Sequence, residues 1–377
     1  MENAIRRKSA PDIRRNVKMI LARHKLEPSR SNMMDRPFIG IDFGGTNLRI
    51  AKVNPKTGEV EGDVITHVSK RITSNQKLTE RIMEDISGRF GACCNIGISA
   101  AGDVDEKGLV IRISPNASIK EQITFGRSLE EMGHNVVMTN DMKAASQAAA
   151  RYGEGRGLEN VLLATYSSGY NSAKVSGGRN MTTAEIGHIP YGKDLFCGCG
   201  KKGHLEIYVS ANGAASMAMQ FFLTTLIRNH PILMHALKDF NDKAGERSAQ
   251  QYDLSDLKEA HMFHAIIDSI GAKHVYQAFR EDPESEPQRS IRNTQVKAIS
   301  DSFAIMNSAF NPLDIMVLMG SQTKDWDVLF EPSIGRFSQG NLQLQSLHIP
   351  RIVRTSLPEI GVQGAVAYLI AQMGSQQ

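Results

Sequence analysis

Short apolar runs and helical periods alternate along the chain after residue 37. Phe38–Asp42 is an apolar run that ends on an acid, and Leu48–Val53 returns after a glycine turn with strand-like alternation. Val64–Val68 predicts a third strand, Leu78–Phe90 has the spacing of a helix, and Asn95–Ser99 predicts a strand that runs into another glycine turn. This order of elements predicts an α/β unit.

A second strand–glycine turn–strand unit follows, in which the turn Ser167–Gly169 lies between two apolar runs. Because the theme occurs twice, we expect two similar half-molecules that face each other, whose turns hold the ends of a polyphosphate through backbone amides. The elements predicted in this part of the chain are the strands Val161–Thr165, Ala173–Val175 and Pro312–Met319, and the helical stretches Leu205–Leu237, Ile291–Phe310 and Val362–Met373.

Composition limits the class of protein. The chain has 377 residues, 41% hydrophobic and 22% charged, which is typical of a globular protein with more than one core. The net charge of +4 provides no overall basic field, so the sequence argues against nucleic acid as a partner. No apolar run is long enough for a membrane helix, and four cysteines do not form a disulfide framework, so we expect a cytoplasmic protein without a membrane partner.

The sequence suggests three segments. Residues 1–36 form a basic N-terminal extension whose apolar positions predict one amphipathic surface helix. Residues 37–142 are expected to form an N-terminal α/β domain against which the closing helix, residues 357–373, packs. Residues 143–356 are expected to form a C-terminal α/β domain that contains a metal-binding loop, residues 188–204.

That loop gathers four metal-ligating side chains in a short span: His188, Cys197, Cys199 and His204. Cysteine and histidine are the preferred ligands of tetrahedral zinc, and the glycines between them allow a tight turn around one ion. With all four positions filled by protein, the ion would be structural and not catalytic. The alternative is a glycine-rich surface loop without metal.

Two other short motifs carry candidate chemistry. Gly44 and Gly45 would let a phosphate approach the backbone, Thr46 offers a hydroxyl, and Asp42 could hold magnesium through water. An ordinary hairpin turn has the same pattern.

Asn140 and Asp141 follow the apolar strand Val136–Met138, at the edge of a sheet where ligands gather in α/β folds. The aspartate could act as a general base that takes a proton from a bound hydroxyl group. The pair could equally cap a helix, Met142–Tyr152.

Together these residues resemble the ROK family of sugar kinases and repressors, within the actin-like ATPase and hexokinase superfamily. The motifs that carry the resemblance are Asp42–Arg49, Gly97–Gly102, Asn140–Asp141, Glu185–His188 and Cys197–Glu206. The resemblance implies two actin-like (ribonuclease H-like) α/β domains around a central cleft, with a zinc-bound loop. It covers the chain from about Phe38 to the C-terminus.

The resemblance also implies the ligands and the residues that contact them. It implies ATP with Mg²⁺, a structural Zn²⁺, a small sugar as substrate and a homodimer. The candidate substrate contacts are Asn116, Asn140, Asp141, Glu185, His188 and Glu206, with Asp141 as the catalytic base. The candidate nucleotide contacts are Asp42, Gly44, Gly45, Thr46, Asn47, Ser168, Gly169, Gly320 and Ser321.

The chain departs from the family pattern at several positions. His204 stands where a third cysteine is usual, and Lys143 replaces an asparagine, which changes the charge beside Asp141. In the second phosphate turn, Ser168 takes the place of a threonine and Tyr170 is bulkier than the usual glycine. With these two substitutions, the turn could reposition the triphosphate or bind ATP more weakly.

We therefore predict an ATP-dependent sugar kinase that phosphorylates a hydroxyl of a hexose or N-acylhexosamine, with Asp141 as general base. The alternative is a non-catalytic, sugar-sensing regulator of the ROK type, because Ile13–Arg30 resembles the opening of the repressors' DNA-binding module. Since Phe38 already begins the first strand, no room is left for a recognition helix. A third hypothesis is a scaffold that keeps the fold and the zinc but has lost the nucleotide.

Overall fold

The computed structural model describes residues 33–91, 93–114, 117–225, 227, 229–245, 260–341 and 348–374. The predicted N-terminal helix therefore lies outside the described residues. The described strands are β1 (Phe38–Phe43), β2 (Asn47–Val53), β3 (Val60–Val68), β4 (Asn95–Ala100), β5 (Asp103–Asp105), β6 (Val110–Ile113), β7 (Asn135–Asn140), β8 (Asn160–Tyr166), β9 (Tyr170–Ser176), β10 (Arg179–Ala184), β11 (Ile315–Met319) and β12 (Arg351–Arg354).

The α-helices of the described residues lie between and after these strands. They are α1 (Asn75–Arg89), α2 (Phe125–Glu131), α3 (Asp141–Arg151), α4 (Leu205–Val209), α5 (Ala211–Thr225), α6 (Pro231–Gly245), α7 (Ala260–Asp268), α8 (Ala272–Glu281), α9 (Gln288–Phe310), α10 (Glu331–Asn341) and α11 (Ile360–Gly374). None of them is both long and apolar enough to cross a membrane.

By its internal contacts the chain divides into two compact units. The first unit holds the described residues up to Val161, together with Ala173–Thr182 and those from Thr355 onward. The second unit holds Leu162–Ser172 and Thr183–Arg354. The domain limits inferred from the sequence stay a prediction.

The first unit is built on a five-stranded sheet with the order β3-β2-β1-β4-β7. β1 is antiparallel to β2 and parallel to β4, and β4 is parallel to β7. The register pairs Asp42 with Ser99 and Ala100 with Asn140. The carboxyl ends of β1, β4 and β7 therefore lie at one edge of the sheet, which is where α/β folds place ligands.

Helix α11 packs on this sheet through two glycines. A Cβ atom on Gly40 of β1 would lie 2.2 Å from the carbonyl oxygen of Val362, and one on Gly97 of β4 would lie 2.0 Å from that of Ala365. Any side chain at these two strand positions would push the helix away. The predicted helical stretch Val362–Met373 thus lies in α11, the helix that covers the sheet of the first unit.

A second five-stranded sheet has the order β10-β9-β8-β11-β12, in which β11 and β12 are parallel. Tyr166, Phe222, Phe303 and Phe330 are fully buried in the core of the second unit. β5 and β6 form a separate two-stranded hairpin.

One predicted helical stretch, Leu205–Leu237, is wrong as a single element. The chain is extended at Ser210, between α4 and α5, and the Ser210 hydroxyl oxygen accepts a hydrogen bond from the Gly213 amide at 3.3 Å. This serine acts as a local cap, because its side chain competes with the helical backbone for hydrogen bonds. A second break separates α5 from α6, before Pro231.

Candidate functional site

Asp42 lies at the carboxyl end of β1, where its carboxylate contacts Ser99 and Arg49. The Ser99 hydroxyl donates to its Oδ1 at 3.1 Å, and the Arg49 guanidinium lies 4.0 Å from its Oδ2. Arg49 also lies 3.8 Å from Glu359, just before α11. Burial raises the pKa of the Asp42 carboxyl, although Ser99 and Arg49 oppose that effect. A cation at this carboxylate would stabilise its charged form.

The turn after Asp42 is a tight hairpin. The Gly44 amide donates to the Asn47 carbonyl at 2.9 Å, and the Thr46 carbonyl accepts from the Ser69 amide at 2.8 Å. Thr46 is exposed and Gly45 is half-buried. The hairpin alternative is thus confirmed as the backbone structure, and phosphate binding by these residues stays a prediction.

Asn140 and Asp141 form the junction between β7 and α3. The Asn140 Oδ1 accepts the Met142 amide at 3.0 Å, so the helix-cap alternative is confirmed for this residue. Its Nδ2 donates to the Gly102 carbonyl at 3.2 Å. Asp141 is the first residue of α3, is half-buried, and accepts the same Met142 amide at 2.9 Å. The positive end of the helix dipole favours a charged carboxylate there.

In the second unit, the four predicted metal ligands come together. The ligand atoms of His188, Cys197, Cys199 and His204 all lie within 4.8 Å of one another. The two histidine Nδ1 atoms are 3.3 Å apart, the Cys199 Sγ is 3.2 Å from the His204 Nδ1, and the Cys197 Sγ is 3.7 Å from the His188 Nδ1.

These separations fit one tetrahedral zinc ion. Zinc–nitrogen bonds of about 2.0 Å and zinc–sulfur bonds of about 2.3 Å require neighbouring ligand atoms roughly 3.3–3.8 Å apart. Burial raises the pKa of the Cys197 thiol to about 12, so the thiolate needs a cation beside it. The chemistry of this donor set therefore suits zinc, whose binding stays a prediction.

The loop that presents these ligands is a knuckle with two glycines in the left-handed region, Gly200 and Gly203. The Cys197 amide donates to the Lys201 carbonyl at 2.9 Å, which closes the knuckle. A Cβ on Gly203 would lie 2.0 Å from the Gly192 carbonyl oxygen. Both the left-handed backbone conformation and the lack of space therefore require glycine at this position.

The two candidate acids on either side of the loop, Glu185 and Glu206, contact the segment that joins β8 to β9 and begins β9. The Glu206 Oε2 accepts the Tyr170 amide at 3.3 Å, and its Oε1 accepts from the Cys197 thiol at 3.1 Å. Glu185 is exposed, and its Oε1 accepts from the Asn171 side chain at 3.1 Å. Hydrogen bonds within the second unit thus connect the Cys/His cluster and both acids to the second candidate phosphate turn.

Tyr170 does not cover this turn. Its side chain is buried in the core of the second unit, with its ring centroid 4.9 Å from that of Tyr166. Ser168, by contrast, is exposed. Gly320 lies beside the same turn, because a Cβ there would be 2.2 Å from the Tyr166 carbonyl oxygen. Ser321 follows it and is exposed.

The candidate residues are therefore divided between the two units. Asp42, Gly44, Gly45, Thr46, Asn47, Asn140 and Asp141 lie in the first, while Ser168, Gly169, Glu185, His188, Cys197, Cys199, His204, Glu206, Gly320 and Ser321 lie in the second. Asn116 lies outside the described residues. Sequence reasoning missed Glu106, which pairs with Lys143 at 2.8 Å.

Comparisons with known proteins point to one family. The sequence profile of the ROK family matches residues 38–372. A glucokinase from Streptomyces coelicolor is 30% identical over 191 residues, which cover 48% of this chain and 59% of that protein. The transcriptional repressor Mlc of Escherichia coli is 26% identical over 187 residues, which cover 46% of this chain and 43% of the repressor. The chain is thus matched to less than two thirds of the length of these curated relatives.

The fold has solved counterparts. The crystal structure of a ROK family glucokinase from Streptomyces griseus, in complex with glucose and AMPPNP, superposes with a TM-score of 0.64. That likeness covers 90% of this chain and all of the other, at 22% sequence identity. The predicted mixed α/β fold is confirmed at this level.

Proposed function

The chain belongs to the ROK family, and we propose that it is a carbohydrate kinase that transfers a phosphoryl group from ATP to a hydroxyl of a hexose or N-acylhexosamine. The observation that carries this proposal is the position of Asp141. It opens α3 directly after β7, at the sheet edge that also holds Asp42, and its carboxylate is half-buried. The 30% identity to a glucokinase supports the same class of reaction.

Asp141 acts as the general base in this proposal. As the sugar oxygen forms a bond to the γ-phosphorus, the bond from that phosphorus to the bridging oxygen of ADP breaks. The hydroxyl proton moves to the Asp141 carboxylate. The Met142 amide and the start of the helix stabilise the charged, proton-accepting form of Asp141.

The phosphate donor is ATP with Mg²⁺. Asp42 would hold the magnesium ion through water, because its carboxylate is half-buried at the sheet edge and its ion pair with Arg49 is long, at 4.0 Å. The exposed hydroxyls of Thr46, Ser168 and Ser321 and the backbone of the three glycine turns would contact the nucleotide. The burial of Tyr170 supports access to the second of these turns.

The sugar hydroxyls would be bound by Glu185, His188, Glu206 and Asn140, with Asn116 as a further contact. Carboxylates are suited to this role because they accept hydrogen bonds from two hydroxyls at once. The four-residue cluster would hold a zinc ion that cross-links the knuckle, which would fix His188 directly and Glu206 through its contact with Cys197. We also propose that the protein is a cytoplasmic homodimer.

The direct test is phosphoryl transfer from ATP to a panel of hexoses and N-acylhexosamines, measured through ADP release. We expect the wild type to phosphorylate at least one of these sugars, and Asp141→Asn to lower kcat by at least about 100-fold, the usual contribution of a general base. Asp63→Asn changes an exposed aspartate of β3 in the same way and should keep full activity. A wild type that phosphorylates no sugar, or an Asp141→Asn variant of unchanged rate, contradicts the proposal.

The second candidate is a sugar-sensing regulator, which the likeness to the repressor Mlc favours. A gel-shift titration on genomic fragments at several salt concentrations separates the two functions. For a kinase we expect no fragment to be bound more tightly than bulk competitor DNA.

A further inference from the structure

Glu106 receives three side-chain hydrogen bonds, although nothing in the sequence marks it as a site residue. It directly follows β5. Its Oε1 accepts from the Thr139 hydroxyl at 2.7 Å and from the Lys143 ammonium at 2.8 Å, and its Oε2 accepts from the Tyr368 hydroxyl at 3.1 Å. The carboxylate therefore connects three elements of the first unit: β7, α3 and α11.

Two of these donors flank the proposed base. Thr139 is the residue before Asn140 and is fully buried, and Lys143 is the second residue after Asp141, in the first turn of α3. Hydrogen bonds to one carboxylate thus fix the chain on both sides of the strand–helix junction. Since Asn140 also caps α3, Glu106 supports the junction that orients Asp141.

The electrostatics of Glu106 agree with this arrangement. Burial alone would raise the pKa of its carboxyl, but the hydrogen bonds from Lys143 and Thr139 and the charge of Lys143 bring it below its ordinary value. Glu106 is therefore anionic near neutral pH and balances the charge of Lys143. The lysine that departs from the family pattern is held by this partner.

We propose that Glu106 is a positioning residue for the base, which fixes the β7–α3 junction and neutralises Lys143, two residues along α3 from Asp141. This inference rests on the proposed kinase function. Without Glu106, the Lys143 ammonium, two residues along α3 from Asp141, would lose its ion pair, and its charge would lower the pKa of the Asp141 carboxyl. Without Lys143, the unpaired anion of Glu106 would raise it.

The test compares Glu106→Gln, Lys143→Met and the double variant by their pH profiles of kcat/KM. We expect the acid limb to move down by about half to one pH unit in Glu106→Gln and up by a similar amount in Lys143→Met. In the double variant it should return to within about 0.3 unit of the wild type. Because the junction is loosened, kcat of Glu106→Gln should fall about tenfold while KM changes less than about twofold.

Two controls separate this role from a general loss of structure. Glu131→Gln changes an exposed glutamate of α2 and should leave the limb where it is. Opposite shifts in the two single variants do not follow from unfolding, which lowers the amount of active enzyme at every pH. The proposal is overturned if the acid limb of the kcat/KM profile lies at the same pH in all variants, or if it shifts in the same direction in both single variants.

A second readout needs no catalysis, so that failure of the kinase function can be told apart from failure of this inference. Hydrogen exchange of the backbone amides in the first turn of α3 should be at least about tenfold faster in Glu106→Gln than in Glu131→Gln, because opening there is a local event. A wild type without kinase activity contradicts the proposed function alone if this difference is present. Unchanged exchange contradicts the positioning role.

Discussion

Gly361, in the first turn of α11, lies against the carboxylate of Asp42. A Cβ atom at this glycine would be 2.4 Å from the Asp42 Oδ2, and 2.9 Å from its Oδ1. The start of the closing helix and the end of the first strand are thus in contact at the proposed magnesium site. The contact leaves no room for a side chain at position 361.

Gly361→Ala should therefore displace the Asp42 carboxylate. We expect weaker binding of Mg-ATP, by about tenfold or more, because a shift of about 1 Å in a metal-orienting group is enough for such a loss. Calorimetric titration with Mg-ATP measures it. Gly88→Ala is the matched control, since a Cβ at Gly88 in α1 would meet no atom within 4 Å. Equal affinities of the two variants would show that the carboxylate is not needed at this place.

The four-residue Cys/His cluster predicts that the protein binds zinc and that this zinc stabilises it. Protein purified without a histidine tag should contain about one zinc per chain. Cys199→Ser should lose most of this zinc, because a thiolate binds zinc more strongly than a serine hydroxyl does. Chelator should lower the thermal midpoint of the wild type. Cys93→Ser is the control, since Cys93 is a free thiol outside the cluster. If the wild-type protein contains no zinc and its thermal midpoint does not change with chelator, the knuckle is a surface loop without metal.

Local patterns in the sequence predicted the central strands of each unit, but not β10 and β12 or the helices α2, α7, α8 and α10. β1, β2, β4 and α11 follow from apolar periods, and the four candidate metal ligands were found because three of them lie within residues 197–204. Asn140 was found because it follows an apolar strand, and its structural role as a cap was one of the two stated alternatives. These features depend on neighbours in the chain, which is what periodicity and spacing report.

Glu106 could not be predicted in this way. Its three donors are 33, 37 and 262 residues away, so no local pattern connects them. The only signal was Lys143, a charge that needed a partner. The β5–β6 hairpin that carries Glu106 was also missed, because β5 has only three residues, two of them aspartates. The break at Ser210 was missed because capping depends on one side chain within a strongly helical composition.

His134 predicts a pH dependence of stability in the acid range. Its ring is 4% exposed, and its Nδ1 accepts the Cys94 amide at 3.1 Å. Burial, with a smaller effect of the Arg36 charge, lowers the pKa of His134 from 6.5 to about 4. Between these two values the unfolded chain binds a proton that the folded chain does not. Stability is therefore fully present above pH 6.5 and is lost as the pH falls towards 4.

The size of this effect follows from the shift. About 1.4 kcal/mol per pH unit gives a loss of roughly 2 kcal/mol between pH 6.5 and pH 5 from this group. Urea unfolding at both pH values measures it, and His134→Gln should remove that part of the difference, because glutamine does not titrate. A wild type and a variant with the same pH dependence would show that His134 is not the group responsible.

Gly320 gives a prediction for the second unit. Its φ of 104° lies in the region that favours glycine, and a Cβ there would be 2.2 Å from the Tyr166 carbonyl oxygen, at the end of β8. Gly320→Ala should therefore lower the free energy of unfolding by more than about 1 kcal/mol, because both the strained backbone and the clash oppose the alanine. Gly335→Ala, in α10, places its Cβ in open space and should be neutral or slightly stabilising.

If ATP contacts the turn after β11, Gly320→Ala should also weaken nucleotide binding at a temperature where both variants are folded. Calorimetric titration of the two variants with Mg-ATP, beside their urea unfolding curves, measures both effects, and equal values for the pair would contradict the assignment of this turn.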